Sequence, residues 1–464
     1  YLPKNKSSII LSVILVIIMP INMLAQDFKS HNRSGNYVAW DYAYNLLNSC
    51  EPNSILFTNG DNDTFPLWYI QEVENIRKDV RVVNLSLLNT PWYIDQLKNE
   101  YKKLPINLTD ESIDSIDPIV GTAFALKKWT EEWNRIEFGL DSYFKENYKQ
   151  NYNVKTHGIP VEWGPIEANI DYNGTNIKFD LKPTFGSYLK VQDIMVLELI
   201  DDMPLNRPIY FAVTVSPSHR LGLDQYLEME GLVYKFTGEK NNNSISPKLN
   251  IDKMIKNITQ SNNLNSLIKT ADDYNNWNKS GTYRYTNLNN KDVFFSSNIE
   301  RLVQNYRSSF LQIVLELISD EKNYEKANQI LAMMESYFPI DVINVTHPDI
   351  EIQIGSLFYE VGNIDLFHKY LLHASNRKDI NLQQSYYIAQ LLLENSNEMQ
   401  HSISLFHKLH MENPDIFEIV LGLCQAYFKN NQNEMAIKII QDWIILHPND
   451  NEAREWLKLI ENQI

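Results

Sequence analysis

The sequence predicts an α/β domain with a mostly parallel sheet, then an all-α domain of helical repeats, both set behind one N-terminal transmembrane helix. Three observations carry this. Ser7 to Ala25 holds no charge across 19 residues. From Ser54 onward a short apolar run, a turn-rich loop, a helical pattern and a second apolar run follow one another. Pro414 and Pro448 stand 34 residues apart, each closing a helical run.

As a helix rising ~1.5 Å per residue, the uncharged stretch spans ~28 Å, close to a hydrocarbon core of ~30 Å. Pro20 lies near its far end, where a kink is tolerated. Lys4 and Lys6 mark a cytoplasmic flank, although Lys29 and Arg33 weaken the asymmetry. A signal peptide cut after Ala25 is the rival reading, but bulky Met23 stands where cleavage wants a small residue. The chain opens on Tyr1 rather than Met, so residues 1–26 are expected to be the last span of a longer membrane domain.

Tyr37 to Ser49 sets Val38, Tyr42, Leu46 and Ala39, Ala43, Leu47 on adjoining stripes, an amphipathic helix that stops before Pro52. Ser54 to Thr58 reads as a strand buried on both faces. A turn-rich loop, Asn59 to Thr64, precedes a helix from Phe65 to Arg77 with Pro66 in its first turn. Val80 to Leu85 is a second strand and Trp92 to Lys103 a second helix, giving a βαβ unit with a right-handed crossover. Thr122 to Phe138 and Val191 to Asp202 have helical character, and Ile170 to Leu181 alternates around Asn173 and Gly174 like a hairpin. Pro208 to Val215 is the strongest later strand, and Gly231 to Phe236 a further one. The α/β domain is therefore expected over 27–238. The polar stretch 239–307, with Asn241, Asn242 and Asn243 near its start, is expected as a linker or loop.

From about Ser308 the period changes. Aligned on the prolines, Ala436 and Ser402 fall at one small position, and Ile440 and Phe406 at the next apolar one. Pro339 closes a similar unit with Ala327 and Leu331 at matching offsets, and a looser unit runs from Asp349 to about Asn381. Residues 308–464 thus resemble tetratricopeptide repeats, which are 34-residue helix pairs with small residues where helices cross. Asn451 to Gln463 would be the solvated capping helix.

Composition excludes several classes. A formal charge of −16 argues against a nucleic-acid surface, which needs clustered Lys and Arg. Cys50 and Cys424 are the only cysteines, too few for a disulfide framework or a Cys-based zinc site. No P-loop, GxGxxG, GxSxG, HExxH or CxxC occurs. The sequons at Asn32, Asn62, Asn84, Asn107, Asn173 and Asn257 say little in so Asn-rich a chain.

The most suggestive local feature is the loop Asn59 to Thr64, which follows a buried strand where open α/β sheets bind ligands. Asn59, Asp61, Asn62 and Asp63 are the candidate ligand-binding residues. The two carboxylates would hold a divalent cation or sugar hydroxyls, beside free helix N–H groups. The competing reading is that Asn, Gly and Asp make the turn and Asp63 or Thr64 caps the helix. Without a third acidic ligand in range, no metal site is assigned. His219 and Arg220 are either an anion contact or an exposed loop pair. Trp40, Trp68, Trp92, Trp129, Trp133 and Trp163 offer either sugar-stacking faces or core.

Asn53–Tyr69 (NSILFTNGDNDTFPLWY), Asp79–Asp95 (DVRVVNLSLLNTPWYID), Arg207–Ser216 (RPIYFAVTVS) and Gly222–Gly231 (GLDQYLEMEG) resemble a large bacterial multi-pass membrane protein family. That family, formerly of unknown function, is related to the animal transmembrane O-mannosyltransferase of plexin-type domains. The resemblance covers roughly residues 27–236. It implies a polytopic glycosyltransferase that takes sugar from a polyprenyl phosphate carrier, with its catalytic acid in a multi-helix part upstream of this chain. No catalytic residue and no cofactor is therefore assigned here. The implied location is the bacterial inner membrane with the soluble domains on the periplasmic side, and the implied partner is an acceptor peptide or protein. A membrane-tethered scaffold without catalysis, and an α/β hydrolase or metal-dependent enzyme centred on Asp61 and Asp63, are the alternatives.

Overall fold

The computed structural model describes residues 6–100, 102–106, 109–114, 159–160, 166–184, 188–201, 207–241, 246–262, 265–277, 281–320, 322–395 and 399–462. The helix expected over 122–138, the side chains of Trp129, Trp133 and Trp163, and the sequon at Asn107 lie outside them. The described chain forms two compact units, one of residues 33–287 with 305–313, the other of residues 1–32, 288–304 and 314–464.

Helix α1 runs from Lys6–His31, with Pro20 inside it. Ile9–His31 has a mean hydropathy of 2.4 and no buried side chains, long and apolar enough to cross a membrane.

In the sheet unit, α2 (Val38–Ser49) leads to β1 (Ile55–Thr58), α3 (Asp61–Glu72) and β2 (Arg81–Asn84). Then come α4 (Pro91–Asn99), α5 (Asp110–Asp114), β3 (Ile159–Pro160), β4 (Ile166–Tyr172), β5 (Thr175–Leu181), β6 (Tyr188–Leu189) and α6 (Val191–Asp201). Strands β7 (Ile209–Ala212), β8 (Leu227–Met229), β9 (Val233–Phe236) and β10 (Lys248–Leu249) complete the main sheet. Helices α7 (Ile251–Ile258) and α8 (Ala271–Asn276) follow.

The six-stranded sheet has the order β10-β8-β9-β7-β1-β2. Pairs β1–β2, β1–β7 and β8–β10 are parallel, and β7–β9 and β8–β9 antiparallel. It is thus a mixed sheet rather than a mostly parallel one, with antiparallel pairs in the middle and parallel pairs toward both edges. Ile55, Leu56, Phe57, Ile209, Tyr210 and Phe211 are wholly buried, as a strand covered on both faces requires. The hairpin β4–β5 turns at Asn173 and Gly174, both at positive φ (56° and 76°), the demand of a type I′ turn.

Two differences from expectation have clear causes. First, α2 is not amphipathic: from Asp41 to Cys50 every residue is buried. Its polar residues bond to backbone from the 283–286 stretch instead of water. Asn45 Nδ2 donates to Arg284 O (2.8 Å) and Asn45 Oδ1 accepts from Arg284 N (2.8 Å). Asp41 accepts from Thr286 N (2.5 Å). Second, the stretch expected as a linker therefore packs within the sheet unit up to residue 287, holding β10, α7 and α8. Its polar sequence hides the role because backbone groups and tyrosine hydroxyls make the contacts: Tyr283 Oη lies 2.5 Å from Ser49 Oγ and accepts from Leu232 N (3.0 Å).

The other unit is an array of helix pairs: α9 (Ser297–Ser319) with α10 (Tyr324–Tyr337), α11 (Pro348–Glu360) with α12 (Ile364–Ser375), α13 (Leu382–Asn395) with α14 (Met399–Glu412), and α15 (Phe417–Lys429) with α16 (Asn433–Leu446). Helix α17 (Asn451–Glu461) closes it. The middle of α9, residues 305–313, is counted with the sheet unit. Ala327, Ser402 and Ala436, and likewise Leu331, Phe406 and Ile440, are wholly buried, so the repeat register read from the prolines is the register of the core. Small residues are needed because helices cross closely. Ser402 Oγ donates to Ala389 O across one crossing (2.9 Å), and a Cβ on Gly422 would meet the Phe406 ring at another.

Candidate functional site

Strand β1 lies between β2, reached through α3, and β7, which arrives later on its other side. That reversal makes the C-terminal end of β1 the switch point of the parallel trio β7-β1-β2, the place where open sheets bind ligands. The chain leaves β1 at Thr58, turns at Asn59 and Gly60, and enters α3 at Asp61. Gly60, at φ +93°, allows that abrupt turn. The helix thus begins four residues earlier than expected. Asp61, Asn62, Asp63 and Thr64 form its first turn rather than a loop, and Pro66 falls inside it. Pro66 has no N–H, so the Asn62 carbonyl loses its usual helical donor.

At this end of β1 lies a small hydroxyl and amide network. Thr58 Oγ1 and Thr64 Oγ1 are 2.9 Å apart, and Thr64 Oγ1 donates to Gly60 O (2.8 Å). Asn84, ending β2, donates through Nδ2 to Thr64 Oγ1 (2.7 Å), and its Oδ1 accepts from Leu87 N (3.0 Å). Ser86 donates to Asn59 Oδ1 (2.8 Å).

The four candidate residues separate into two groups. Asp63 is buried, and its carboxylate accepts from the Thr214 hydroxyl just beyond β7. Asp61 and Asn62 are exposed on the opposite side of the turn, with half-buried Asn59 tied to Ser86. The two carboxylates therefore do not converge. Among the described residues no group of three or more His, Cys, Asp or Glu is arranged to hold a metal ion. The metal-centred alternative built on Asp61 and Asp63 loses its geometric basis. What the turn offers a ligand is Asp61, Asn62 and the first N–H groups of α3. Asn84, Ser86 and Thr214 complete the site without having stood out in the sequence; the only signal was that each lies at or just past a strand end.

Burial pushes the Asp63 carboxyl up to about 6, and the Thr214 hydroxyl opposes that rise only in part. A folded pKa above the unfolded 3.8 means stability is fullest below pH 3.8 and is lost as pH rises through about 6. Asp63→Asn is expected to remove that slope, a relative change of roughly 2–3 kcal/mol across the window. Native-state hydrogen exchange of β1 amides at pH 3.5 and 7.5 measures it, and equal pH dependence in both proteins would refute it.

The other candidates also resolve. Arg220 is buried, not exposed: it pairs with Asp224 (2.5 Å), donates to Val215 O (3.1 Å) and lies 4.5 Å from the Tyr234 ring. His219 Nδ1 is 2.7 Å from Ser216 Oγ. The pair closes its own loop. Trp40 stacks on Tyr44 (5.2 Å) and donates to Glu74 (2.9 Å). Trp68 and Trp92, by contrast, line an open cleft of about 400 Å³. The sequons at Asn84 and Asn257 are buried, and Asn257 Nδ2 donates to Glu230 O (2.6 Å).

In the repeat unit an open groove of about 830 Å³ runs along α14, lined by Ile403, His407, Met411, Tyr427 and Met435 among others. Met411 is 76% exposed there.

Residues 39–163 and 166–254 match the family model of TMEM260-associated domain 2. Over those residues the chain is similar to that domain. The matched residues take in the C-terminal end of β1, the aromatic cleft and β10, and so run past residue 238. The repeats lie outside the matched residues. No curated protein matches the sequence. Among solved structures, MamA (AMB-1) aligns at 14% identity and a TM-score of 0.23, covering 34% of this chain and 81% of its own. YrrB, described as a TPR protein with an unusual peptide-binding site, aligns at 12% identity and a TM-score of 0.24, covering 35% of this chain and 89% of its own.

Proposed function

We propose that the chain is the extracytoplasmic C-terminal region of a polytopic membrane glycosyltransferase, which takes sugar from a polyprenyl phosphate carrier and transfers it to protein hydroxyls. The observation that carries this reading is the match to the TMEM260-associated domain over 39–163 and 166–254, on a chain that also has a membrane-length apolar helix. In this reading α1 is anchored in a bacterial inner membrane and both soluble units work on the periplasmic side. No described residue is given a chemical step; the chain's work is to hold the acceptor.

The repeat unit suits that work because stacked helix pairs offer side chains at regular intervals along an extended surface. The first helices of such pairs line the concave face and are one candidate contact surface. The groove along α14, a second helix, is the better candidate, since its exposed Met411 and half-exposed Met435 supply adaptable apolar contacts beside His407 and Lys408.

Sugar incorporation decides the reading. Deleting the gene is expected to abolish transfer of labelled sugar from polyprenyl phosphate to envelope proteins, and the whole gene to restore it. A gene lacking residues 382–464 is expected to restore only a small part. Unchanged incorporation after deletion, together with capture of envelope proteins by the intact protein in the parent strain, would instead favour the non-catalytic scaffold.

A further inference from the structure

Helix α3 is apolar on two faces. Leu67 and Ile70 point into the sheet unit and are wholly buried. Phe65, Tyr69 and Val73, spaced four apart so that they line one stripe, are each more than half exposed. Trp92, near the start of α4, is also more than half exposed. A chain of rings joins it to the stripe. Phe65 and Trp68 have centroids 5.8 Å apart, Trp68 and Tyr93 6.4 Å, and Trp92 and Tyr93 5.4 Å. A helix that only faced water would carry polar residues along that stripe. A contiguous exposed apolar patch marks a contact surface.

One end of the stripe is fixed close to where α2 begins. Trp40, near the start of α2, donates to Glu74 (2.9 Å), the residue after Val73. Exposed Tyr37 directly precedes α2. Residues 32–37 alone join α2 to α1, and a fully extended chain of that length reaches about 25 Å. Helix α1 is the one long and apolar enough to cross a membrane among the described residues. From Val73 the stripe runs only about 12 Å along α3 to Phe65. The tether therefore keeps the whole stripe within reach of the surface of any bilayer that α1 enters.

The chemistry of the stripe fits lipid better than a second copy of the chain. Trp and Tyr pair an apolar body with a polar tip, which suits the headgroup level of a membrane. The exposed parts of these side chains amount to on the order of 500 Å², short of the roughly 800 Å² per partner that a stable complex buries. Charge supplies no attraction. Asp61 and Glu72 are exposed beside the stripe, Glu72 already pairs with Lys78 (3.0 Å), and the chain carries −16. Apolar insertion must do the holding. We propose that the sheet unit rests on the bilayer through α3, with Phe65, Tyr69, Val73 and Trp92 seated at headgroup depth. That seating brings the exposed first turn of α3, Asp61 and Asn62, to the membrane surface. The proposal rests on the membrane reading of α1 and needs no transfer chemistry.

Nitroxide labelling of the full chain in phosphatidylcholine nanodiscs tests it. Cys50 and Cys424 are buried, so a thiol reagent selects an introduced cysteine. Tyr69→Cys and Val73→Cys report on the stripe, and Val16→Cys reports on α1. Collisions with oxygen, which partitions into lipid, are compared with collisions with a water-soluble nickel chelate. Labels at 69 and 73 are expected to favour oxygen, as at headgroup depth, and the label at 16 to favour it most. Phe65→Ser with Trp92→Ser is expected to raise chelate collisions at residue 73 about threefold, with β1 hydrogen exchange unchanged. The proposal fails if the labels at 69 and 73 meet the chelate as freely as an exposed helix in water while residue 16 lies in the lipid core. It fails too if both are shielded from oxygen and chelate alike, since protein then covers the face. Headgroup depth reached only when anionic phosphatidylglycerol is present would also sink it. A chelate-accessible label at 16 overturns the membrane reading of α1, and this proposal with it.

Discussion

Arg77→Met is expected to destabilise the sheet unit by about 3–5 kcal/mol, the cost of removing one partner from a buried ion pair. The Arg77 side chain is wholly buried. Nε and Nη2 grip both oxygens of Asp79 at 2.9 Å each, a bidentate pair. Nη1 donates to Leu47 O (2.8 Å) and Nη2 to Cys50 O (3.0 Å). Those carbonyls belong to the C-terminal end of α2, where a helix has acceptors to spare and favours positive charge. The guanidinium also lies 4.7 Å from the Tyr274 ring of α8. One side chain thus joins α2, the β1 approach through Asp79 and Asn53 N (3.2 Å), and α8. Burial alone would raise the Asp79 carboxyl, but the Arg77 hydrogen bonds and charge, with Asn53 N–H, hold it below the usual carboxylate range. The stability from that pair is present above pH 3.8 and is lost as pH falls through the depressed value. Arg77→Lys is expected to recover little, because an ammonium cannot reproduce the planar fork. Denaturant-dependent hydrogen exchange of β1 and β7 amides reads the effect. A loss under 1 kcal/mol for Arg77→Met would show that the network is not holding the unit together.

Arg77 also shows where sequence reading stops. Strands β1 and β7 were legible because Ile, Leu, Phe and Tyr in short unbroken runs have few other uses. The repeats were legible because a small residue must recur wherever helices cross, and Ala327, Ser402 and Ala436 do so. Arg77 was read as the last residue of a helix, since nothing local says that its charge turns inward. The same holds for Asn45, Tyr283 and Tyr306. Asn45 Nδ2 donates to Tyr306 Oη (2.7 Å) across a sequence distance that no periodicity can report.

The structure separates Asp61 from Asp63, which the sequence groups in one turn, for a physical reason. Position was given by the strand–turn–helix order, which fixes where the parallel strands end. The grouping of Asp61 with Asp63 assumed a flexible loop, in which neighbouring carboxylates can swing together. Once Gly60 starts the helix at Asp61, residues two apart point roughly 200° away from each other, and only Asp63 faces inward. The cleft lined by Trp68, Arg81 and Trp92 was not assembled from the sequence, because its parts come from α3, β2 and α4, which no local pattern joins.

Gly222→Ala is expected to be the second large loss, about 2–5 kcal/mol, and Gly174→Ala supplies its control. Both glycines sit at positive φ, +89° and +76°. For a residue with a side chain that conformation costs roughly 1–2 kcal/mol. A Cβ on Gly174 would meet nothing within 4 Å, so strain is its whole penalty. A Cβ on Gly222 would collide with the backbone carbonyl of Asp180 and lie 3.4 Å from Lys182 Cγ. The carbonyl cannot rotate aside, because β5 ends there and Lys182 N donates to Leu221 O (2.9 Å). Overpacking of this kind adds about 1–3 kcal/mol. The turn at Leu221 and Gly222 thereby fastens the β4–β5 hairpin to the segment that runs into β8. Hydrogen exchange of β5 amides in the two variants separates the effects. If Gly222→Ala loses no more protection than Gly174→Ala, the close approach is not what requires glycine at that turn.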